Sequence, residues 1–354
     1  MAEVITEMVL PGVYVAVNAE GLIRSGAVSV GNVGVVGTAI DGKNKAGKDY
    51  MSAYNVVSLS TFDEAKEAFG EVDDSCSLVR GLGLLFSNGA KTVYAVRVPS
   101  GKAGYEEGLR LLLTKDVHIV VTPGIDGPEI QSAMTAHCNE AEGNQQNRIG
   151  LVGCEIGDAV AIGDITGDVG TDDRIIYVAP GIKADKTELS GSYTACAVAG
   201  IISALPPHFS PTNKTLAIEG LSDEYSYSKL KELVNGRVLV LEKKNGYRIV
   251  KGITTDDGAW KQITTRRIVD YAKAGVRQGC LPYIGKLNND RVRKAMKATI
   301  DGFLATMKQD EMLIGYTLDV SATRDDEIEG RCIVVMTLQP TFSIDYIKVI
   351  IYLD

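Results

Sequence analysis

The order of apolar and polar residues along the chain divides it into stretches of two periods. VSVGNVGVVGTAI (28–40) is apolar, β-branched and broken by glycine, which predicts a buried strand with turns. PGVYVAV (11–17) reads as extended chain ahead of it. Helical spacing follows over 61–70 and 76–88, and TVYAVRV (92–98) alternates as a strand. From 116 a rhythm sets in: strand DVHIVVTPG (116–124), helix 128–142, strand RIGLVGC (148–154), a short segment at 155–163, strand RIIYVAPGI (174–182) and helix 190–205. Short, wholly apolar strands between helices must be buried on both faces. The pattern therefore predicts an α/β fold with a parallel sheet covered on both sides, assigned to residues 19–235.

Composition changes near Asn235. GRVLVLEKKNGYRIVKGITT (236–255) reads as a hairpin turning at Asn245-Gly246, the strongest short-range hairpin signal. Two helices follow, 261–278 and 289–309. On the second, Val292, Met296, Ile300, Phe303 and Met307 form one apolar stripe, with Arg293, Lys294, Lys297 and Lys308 on an adjacent face and Asn288 or Asn289 as the cap. Three strands are predicted after them: MLIGYTLDVSA (312–322), RCIVVMTLQP (331–340) and IDYIKVIIYLD (344–354). In the last, Tyr346, Ile350 and Tyr352 oppose Ile347, Val349, Ile351 and Leu353, so both faces are apolar. Such a strand sits inside its own domain's sheet or completes that of another molecule. The expected division is an extended N-terminal arm (1–18), the α/β body (19–235), a smaller α+β C-terminal domain (236–342) and an arm strand (343–354).

Composition narrows the class. With 354 residues, 45% of them hydrophobic and 23% charged, the chain has material for a proper core and is neither disordered nor collagen-like. No apolar run approaches the ~20 residues that span a bilayer, and Glu3 and Glu7 stand where a secretory signal would carry Lys or Arg. A soluble product that stays where it is made is expected. The six cysteines lie 16 or more residues apart with no CxxC or CxxH, so they read as buried small hydrophobes in a reducing compartment. The charge, −8 overall, is uneven: Trp260–Lys297 holds ten basic residues against Asp270 and Asp290. A cationic patch on an acidic protein points to an acidic partner on one face, or else to a solvated pair of helices.

Catalytic chemistry finds little support. GNVGVVG (31–37) and GLGLL (81–85) lack both the GxGxxG spacing and a GK[ST], so close backbone packing explains them better than nucleotide binding. Asp164, Asp168, Asp172 and Asp173 lack the order of a calcium loop and read as a solvated loop. There is no GxSxG elbow, and His118 in VHIVV reads as a core residue. Neither a cofactor, a metal nor a catalytic set is expected.

Five segments in order carry a resemblance: PGVYV (11–15), SGSYTACAVAGIISALPPHFSPTNKTL (190–216), VLVLEKKNGYRIVKGITT (238–255), DRVRKAMKATIDGFLATM (290–307) and LQPTFSIDYIKVIIYL (338–353). Together they resemble the tail sheath proteins of contractile phage tails, phage-tail-like particles and R-type bacteriocins. The resemblance implies a non-enzymatic subunit with a subtilisin-like α/β body, forming hexameric rings stacked around a tail tube. It would assemble in the bacterial host cytoplasm and end in the tail of the mature particle. Its implied partners are its own copies, the tube, and the baseplate and tail terminator proteins, with no nucleic acid and no insertion into a membrane. In the family both arms are donated to neighbours, which here implicates Val13, Tyr14, Val15 and Val17 of the N-terminal arm. In the C-terminal arm it implicates Tyr346, Ile347, Val349, Ile350, Ile351 and Tyr352. Receiving strands would be 313–321 and 332–339, with Ile314, Tyr316, Leu318, Ile333, Val335 and Thr337; Arg293, Lys294 and Lys297 would face the tube. Two other classes compete. A nucleic-acid-binding protein would use the 260–297 patch, although aromatics there are few and the pI is about 5.1. An α/β hydrolase or oxidoreductase would need a loop constellation that the residues do not supply.

Overall fold

The computed structural model describes residues 31–352 apart from 43–46, 48, 157–160 and 185–186. The expected N-terminal arm, with Val13, Tyr14, Val15 and Val17, lies outside the described residues.

In chain order the first elements are β1 (Val33–Gly37), β2 (Val56–Leu59), α1 (Phe62–Phe69), α2 (Leu78–Ser87), β3 (Val93–Arg97), α3 (Lys102–Leu112), β4 (Ile119–Val121), α4 (Gly127–Gly143), β5 (Ile149–Gly153), α5 (Ile162–Gly167) and β6 (Ile175–Ala179). Next come β7 (Ile182–Ala184), β8 (Thr187–Leu189), α6 (Gly191–Ala204), β9 (Thr215–Leu216), β10 (Gly220–Leu221), α7 (Tyr227–Asn235), β11 (Val238–Lys243) and β12 (Tyr247–Ile249). The last are α8 (Ile263–Cys280), α9 (Asp290–Gln309), β13 (Leu313–Ser321), α10 (Arg324–Ile328) and β14 (Ile333–Pro340).

Among the described residues nine strands form one sheet in the order β2-β3-β1-β4-β5-β6-β11-β12-β9. The run from β3 to β11 is parallel. The fold class is therefore α/β, as the alternation of apolar strands and helices predicts. Every residue of β1, β5 and β6 is buried, which follows from helices lying on both faces. Alternate side chains go to different layers: Val33, Val35, Ile176 and Val178 join α1, α2 and α6, whereas Val36, Ile175, Tyr177 and Ala179 join α3, α4 and α7.

Two buried arginines tie down the starts of β5 and β6. Arg174 donates to Glu142 Oε2 at 2.9 Å and to the Arg148 carbonyl at 3.2 Å. Arg148 donates to the Leu112 carbonyl at 3.2 Å and meets His137 Nε2 at 3.1 Å. Burial first, and Arg148 second, push the His137 pKa down to about 3, so the ring is a neutral acceptor. His118 is half-buried at the start of β4 and faces Asp116 at 3.4 Å rather than lying in the core.

Compactness divides the chain into two units. One holds Gly31–Pro206, Ser210–Ile263 and the residues from Ile344; the other holds Pro207–Phe209 and Thr264–Ser343. The sequence places the division at 235/236, and the units part at 263/264, because β11 lies beside β6 in the large sheet. The second unit packs α8 and α9 with the antiparallel pair β13–β14 around Ile268, Met296, Ile300, Leu304, Met307 and Leu338. Among the described residues no helix is long and apolar enough to cross a membrane.

Main chain packs directly on main chain where β5 ends against α6. A Cβ at Gly153 would stand 1.9 Å from the Gly191 carbonyl carbon and from the Ser192 nitrogen, both main-chain atoms that cannot rotate away. Gly153→Ala should lower the free energy of unfolding by about 2–3 kcal/mol in denaturant titrations. Gly302→Ala on the exposed side of α9, with nothing within 4 Å, should raise it by about 0.5–1 kcal/mol.

Candidate assembly interface

The second unit presents a sheet with open edges. Asn289 caps α9 by accepting the Val292 N–H at 3.0 Å. The apolar stripe of α9 then covers one face of β13–β14, where Tyr316, Leu318, Val320, Val334, Met336 and Leu338 turn inward. The pair runs in register from Tyr316↔Leu338 to Ser321↔Ile333, with an irregularity between Leu313 and Gly315. Of the expected receiving residues, Tyr316 and Leu318 thus lie on the α9 side. Tyr316 hydroxyl also bonds Asp301 Oδ1 at 2.9 Å. Ile314, Ile333, Val335 and Thr337 lie exposed. Among the described residues β13 and β14 pair only with each other, so each keeps one unpaired edge.

Residues 344–352 form no strand with any described part of the chain. Ile347, Val349, Ile350, Ile351 and Tyr352 are all exposed, Ile347 at 82% and Tyr352 at 85%. Of the two arrangements open to this segment, burial in its own sheet is excluded within the described chain. Tyr346 and its neighbour differ from the rest, because they touch the α/β unit. Asp345 Oδ2 accepts from Gln262 Nε2 at 3.0 Å and lies 3.4 Å from Lys251 Nζ, which donates to the Tyr346 hydroxyl at 2.9 Å.

The linear cluster of positive charge does not become one open cationic face. Arg266, Arg267 and Lys273 are buried, and burial pushes the Arg267 pKa down to about 10. Arg293 pairs with Glu327 at 3.0 Å and donates to Asn288 Oδ1 at 2.9 Å. Lys294 pairs with Asp290 at 2.6 Å and Lys297 with Asp319 at 3.3 Å. Each expected tube contact thus has an acidic partner inside its own subunit. Those partners come from β13 and α10 as well as α9, and helical spacing alone could reveal only Asp290.

A crevice of about 880 Å³ opens at the carboxyl ends of β1, β3 and β4, where the strand order reverses. That is where doubly wound α/β proteins bind ligands. Thr38, Ser77, Arg97, Tyr105, Gly124 and Tyr193 are among its lining residues. Ser77 Oγ accepts from the Thr38 N–H at 3.0 Å and lies 3.2 Å from the Tyr105 hydroxyl. Tyr105 in turn donates to the Pro123 carbonyl at 2.7 Å, and burial pushes its pKa up to about 12. Neither partner of Ser77 is a base at neutral pH, so this hydroxyl is held as a structural link and not activated as a nucleophile. Arg97 is likewise committed, to Asp41 and the Met51 carbonyl. Of the acid cluster, Asp164 accepts the Ala161 N–H and Asp172 the Arg174 N–H. Among the described residues no three His, Cys, Asp or Glu side chains are grouped to hold a metal.

Residues 255–354 match the family described as the phage tail sheath C-terminal domain. Solved structures of the same fold include the contracted sheath complex of an extracellular contractile injection system, PVC (19% identical, 99% of each chain covered, TM-score 0.76). The contracted helical sheath of the anti-feeding prophage is similar too (19% identical, 98% of this chain and 100% of that one, TM-score 0.74). So is a sheath tail protein from Desulfitobacterium hafniense (13% identical, 93% of this chain and 100% of that one, TM-score 0.61). No curated protein sequence matches the chain.

Two measurements follow from these environments. Arg293→Glu places a carboxylate against Glu327 and should lower the thermal midpoint by a few degrees; Lys294→Glu, on an exposed pair, should leave it nearly unchanged. Asp126 accepts the Ser192 N–H at 2.8 Å, and burial raises its pKa from 3.8 to about 7. Between about pH 4 and 7 the folded chain keeps a proton there that the unfolded chain has lost, so stability falls as pH rises through that window. The midpoint of Asp126→Asn minus that of the wild type should therefore grow between pH 5 and 8.

Proposed function

Because residues 255–354 match the phage tail sheath C-terminal domain family and the whole chain carries the fold of contractile sheath proteins, we propose that this protein is the structural subunit of a contractile tail sheath. It polymerises as stacked hexameric rings around a tail tube and contracts to drive the tube through a target envelope. The observation that carries this reading is the pairing of opposites in one chain: an unpaired apolar strand at 347–352 and an open-edged pair at β13–β14.

Strand addition suits a moving lattice. Its main-chain hydrogen bonds do not depend on how the bodies of two subunits pack, so the bodies rotate while the links hold. The C-terminal strand pairs with one edge of a neighbour's β13–β14, and residues 12–18 of a further copy, with Val13, Tyr14, Val15 and Val17, pair with the other. Ile314, Ile333, Val335 and Thr337 meet the incoming chains on the outer face, while Tyr316 and Leu318 brace the sheet on α9. The tube is held by the α9 surface. There Lys294 and Lys297 exchange Asp290 and Asp319 for acids of the tube, a swap of exposed pairs that costs little and can be undone on contraction. Baseplate and terminator proteins close the two ends. Assembly takes place in the host cytoplasm, and the energy of contraction is stored in the lattice itself.

Electron microscopy of the purified chain tests this. Tubes or ring stacks are expected, and uniformly monomeric particles at high concentration overturn the reading. Deleting residues 347–354 should keep near-native helicity and abolish the polymers; unfolding of that truncation would assign the segment to its own subunit's core.

A further inference from the structure

The described C-terminal segment changes character over three residues. Asp345 has an 11% exposed side chain; Tyr346 is 79% exposed yet holds its hydroxyl and ring against a lysine, and Ile347, 82% exposed, has no such contact among the described residues. The reason is a convergence of groups on Lys251, itself 14% exposed at the side chain. Its Nζ lies 3.4 Å from Asp345 Oδ2, donates to the Tyr346 hydroxyl at 2.9 Å and stands 4.7 Å from the centre of the Tyr346 ring. Gln262 Nε2 donates to the same Asp345 oxygen at 3.0 Å. The platform under these groups is itself tied down. Ile253 and Gln262 form an antiparallel bridge, Ile263 N–H donates to the Gly252 carbonyl at 3.3 Å, and Gly252 N–H donates to Thr212 Oγ1 at 3.0 Å.

An exposed pair on two long side chains would contribute little. Here one ammonium, on a mostly shielded lysine side chain, is shared by a mostly shielded carboxylate and by the hydroxyl and ring of an exposed tyrosine, and such charge-assisted contacts are stronger than neutral ones. Beyond them residues 347–352 pair with no described part of the chain and all their large apolar side chains are exposed.

We infer that Lys251, Gln262, Asp345 and Tyr346 form a clamp that roots the C-terminal arm on the α/β unit, so that the strand offered to a neighbouring copy begins at Ile347 and leaves in a set direction. This rests on the strand-donor reading above and adds to it what aims the strand. A rooted strand explores less space than one on a slack tether. Its effective concentration at the neighbour's sheet edge is therefore higher, and less freedom is lost on pairing. Tyr346, which alternation groups with the donated residues, belongs to the clamp instead.

The test uses full-length chains carrying Lys251→Met, Asp345→Asn or Tyr346→Phe, with a chain lacking 347–354 as reference. Trypsin cuts after Lys348 only when the residues on both sides lie extended in its groove, including Tyr346, so the clamp must open first. Loss of residues 349–354 from the unassembled subunit, followed by intact mass, should run at least fivefold faster in Lys251→Met and Asp345→Asn than in wild type. The protein concentration at which polymers first sediment should rise at least tenfold in both. Tyr346→Phe, which keeps the ring, should fall between. Equal cleavage rates overturn the clamp, and faster cleavage with unchanged polymerisation overturns its role in aiming the arm. If Lys251→Met does not fold, Asp345→Asn decides. Polymers formed without 347–354 would instead overturn the strand-donor reading, a result separable from the cleavage rates because those are measured on single subunits.

Discussion

Backbone donors and acceptors must find partners, and apolar side chains must leave water. Residues 347–352 meet neither condition with any described part of their own chain. A segment apolar on both faces and unpaired on both edges associates with whatever edge is offered unless its use is controlled. Under the sheath reading, control has two parts. The complementary edges on β13–β14 are backed by α9, so they are preformed and need no rearrangement to receive a strand. The root at Asp345 and Tyr346 is held on Lys251, so the segment departs from a defined point. A two-stranded ribbon is marginal by itself, and added strands on its open edges would bring it to the size at which sheets become stable. Under the sheath reading, subunit and lattice complete each other by the same hydrogen bonds.

The α/β unit provides the rigid counterpart. Its sheet is covered on both faces, and its strand starts are fixed by Arg148 and Arg174, whose charge is absorbed by carbonyls and by Glu142. The crevice at the reversal of strand order shows how geometry and chemistry separate. The place is the one where related architectures carry active sites, yet Ser77, Tyr105 and Arg97 are all engaged in holding loops together. Fold alone does not supply a function. Under the sheath reading, the groups that matter lie at the open edges and along the C-terminal arm.

Charge needed the folded state more than any other property did. Ten basic residues in one stretch suggest a binding face when counted along the sequence. In three dimensions some are buried, and Arg293, Lys294 and Lys297 are matched by Glu327, Asp290 and Asp319. Under the sheath reading, a contact with a tube on this surface would depend on exchange of partners and not on bare positive potential.

Elements whose signal is local were legible from the residues: the buried strands around 35, 151 and 177, the helix 290–309 with its asparagine cap, the Asn245-Gly246 turn, and a terminal segment too apolar to stand alone. Helix 102–112 carries the same kind of signal, with Tyr105, Leu109 and Leu112 on one face, but is short and lies between two stronger strand patterns. What needed tertiary structure is what joins distant positions. Strand β11 pairs with β6 across two intervening helices, α6 and α7, which moves the unit boundary to 263/264. Lys251 meets Asp345 and Tyr346 across more than ninety residues. Periodicity records how a segment meets water and core on its own faces, whereas such pairings depend on loop closure and on which partners compete for each edge and each charge. No single stretch of sequence contains that information.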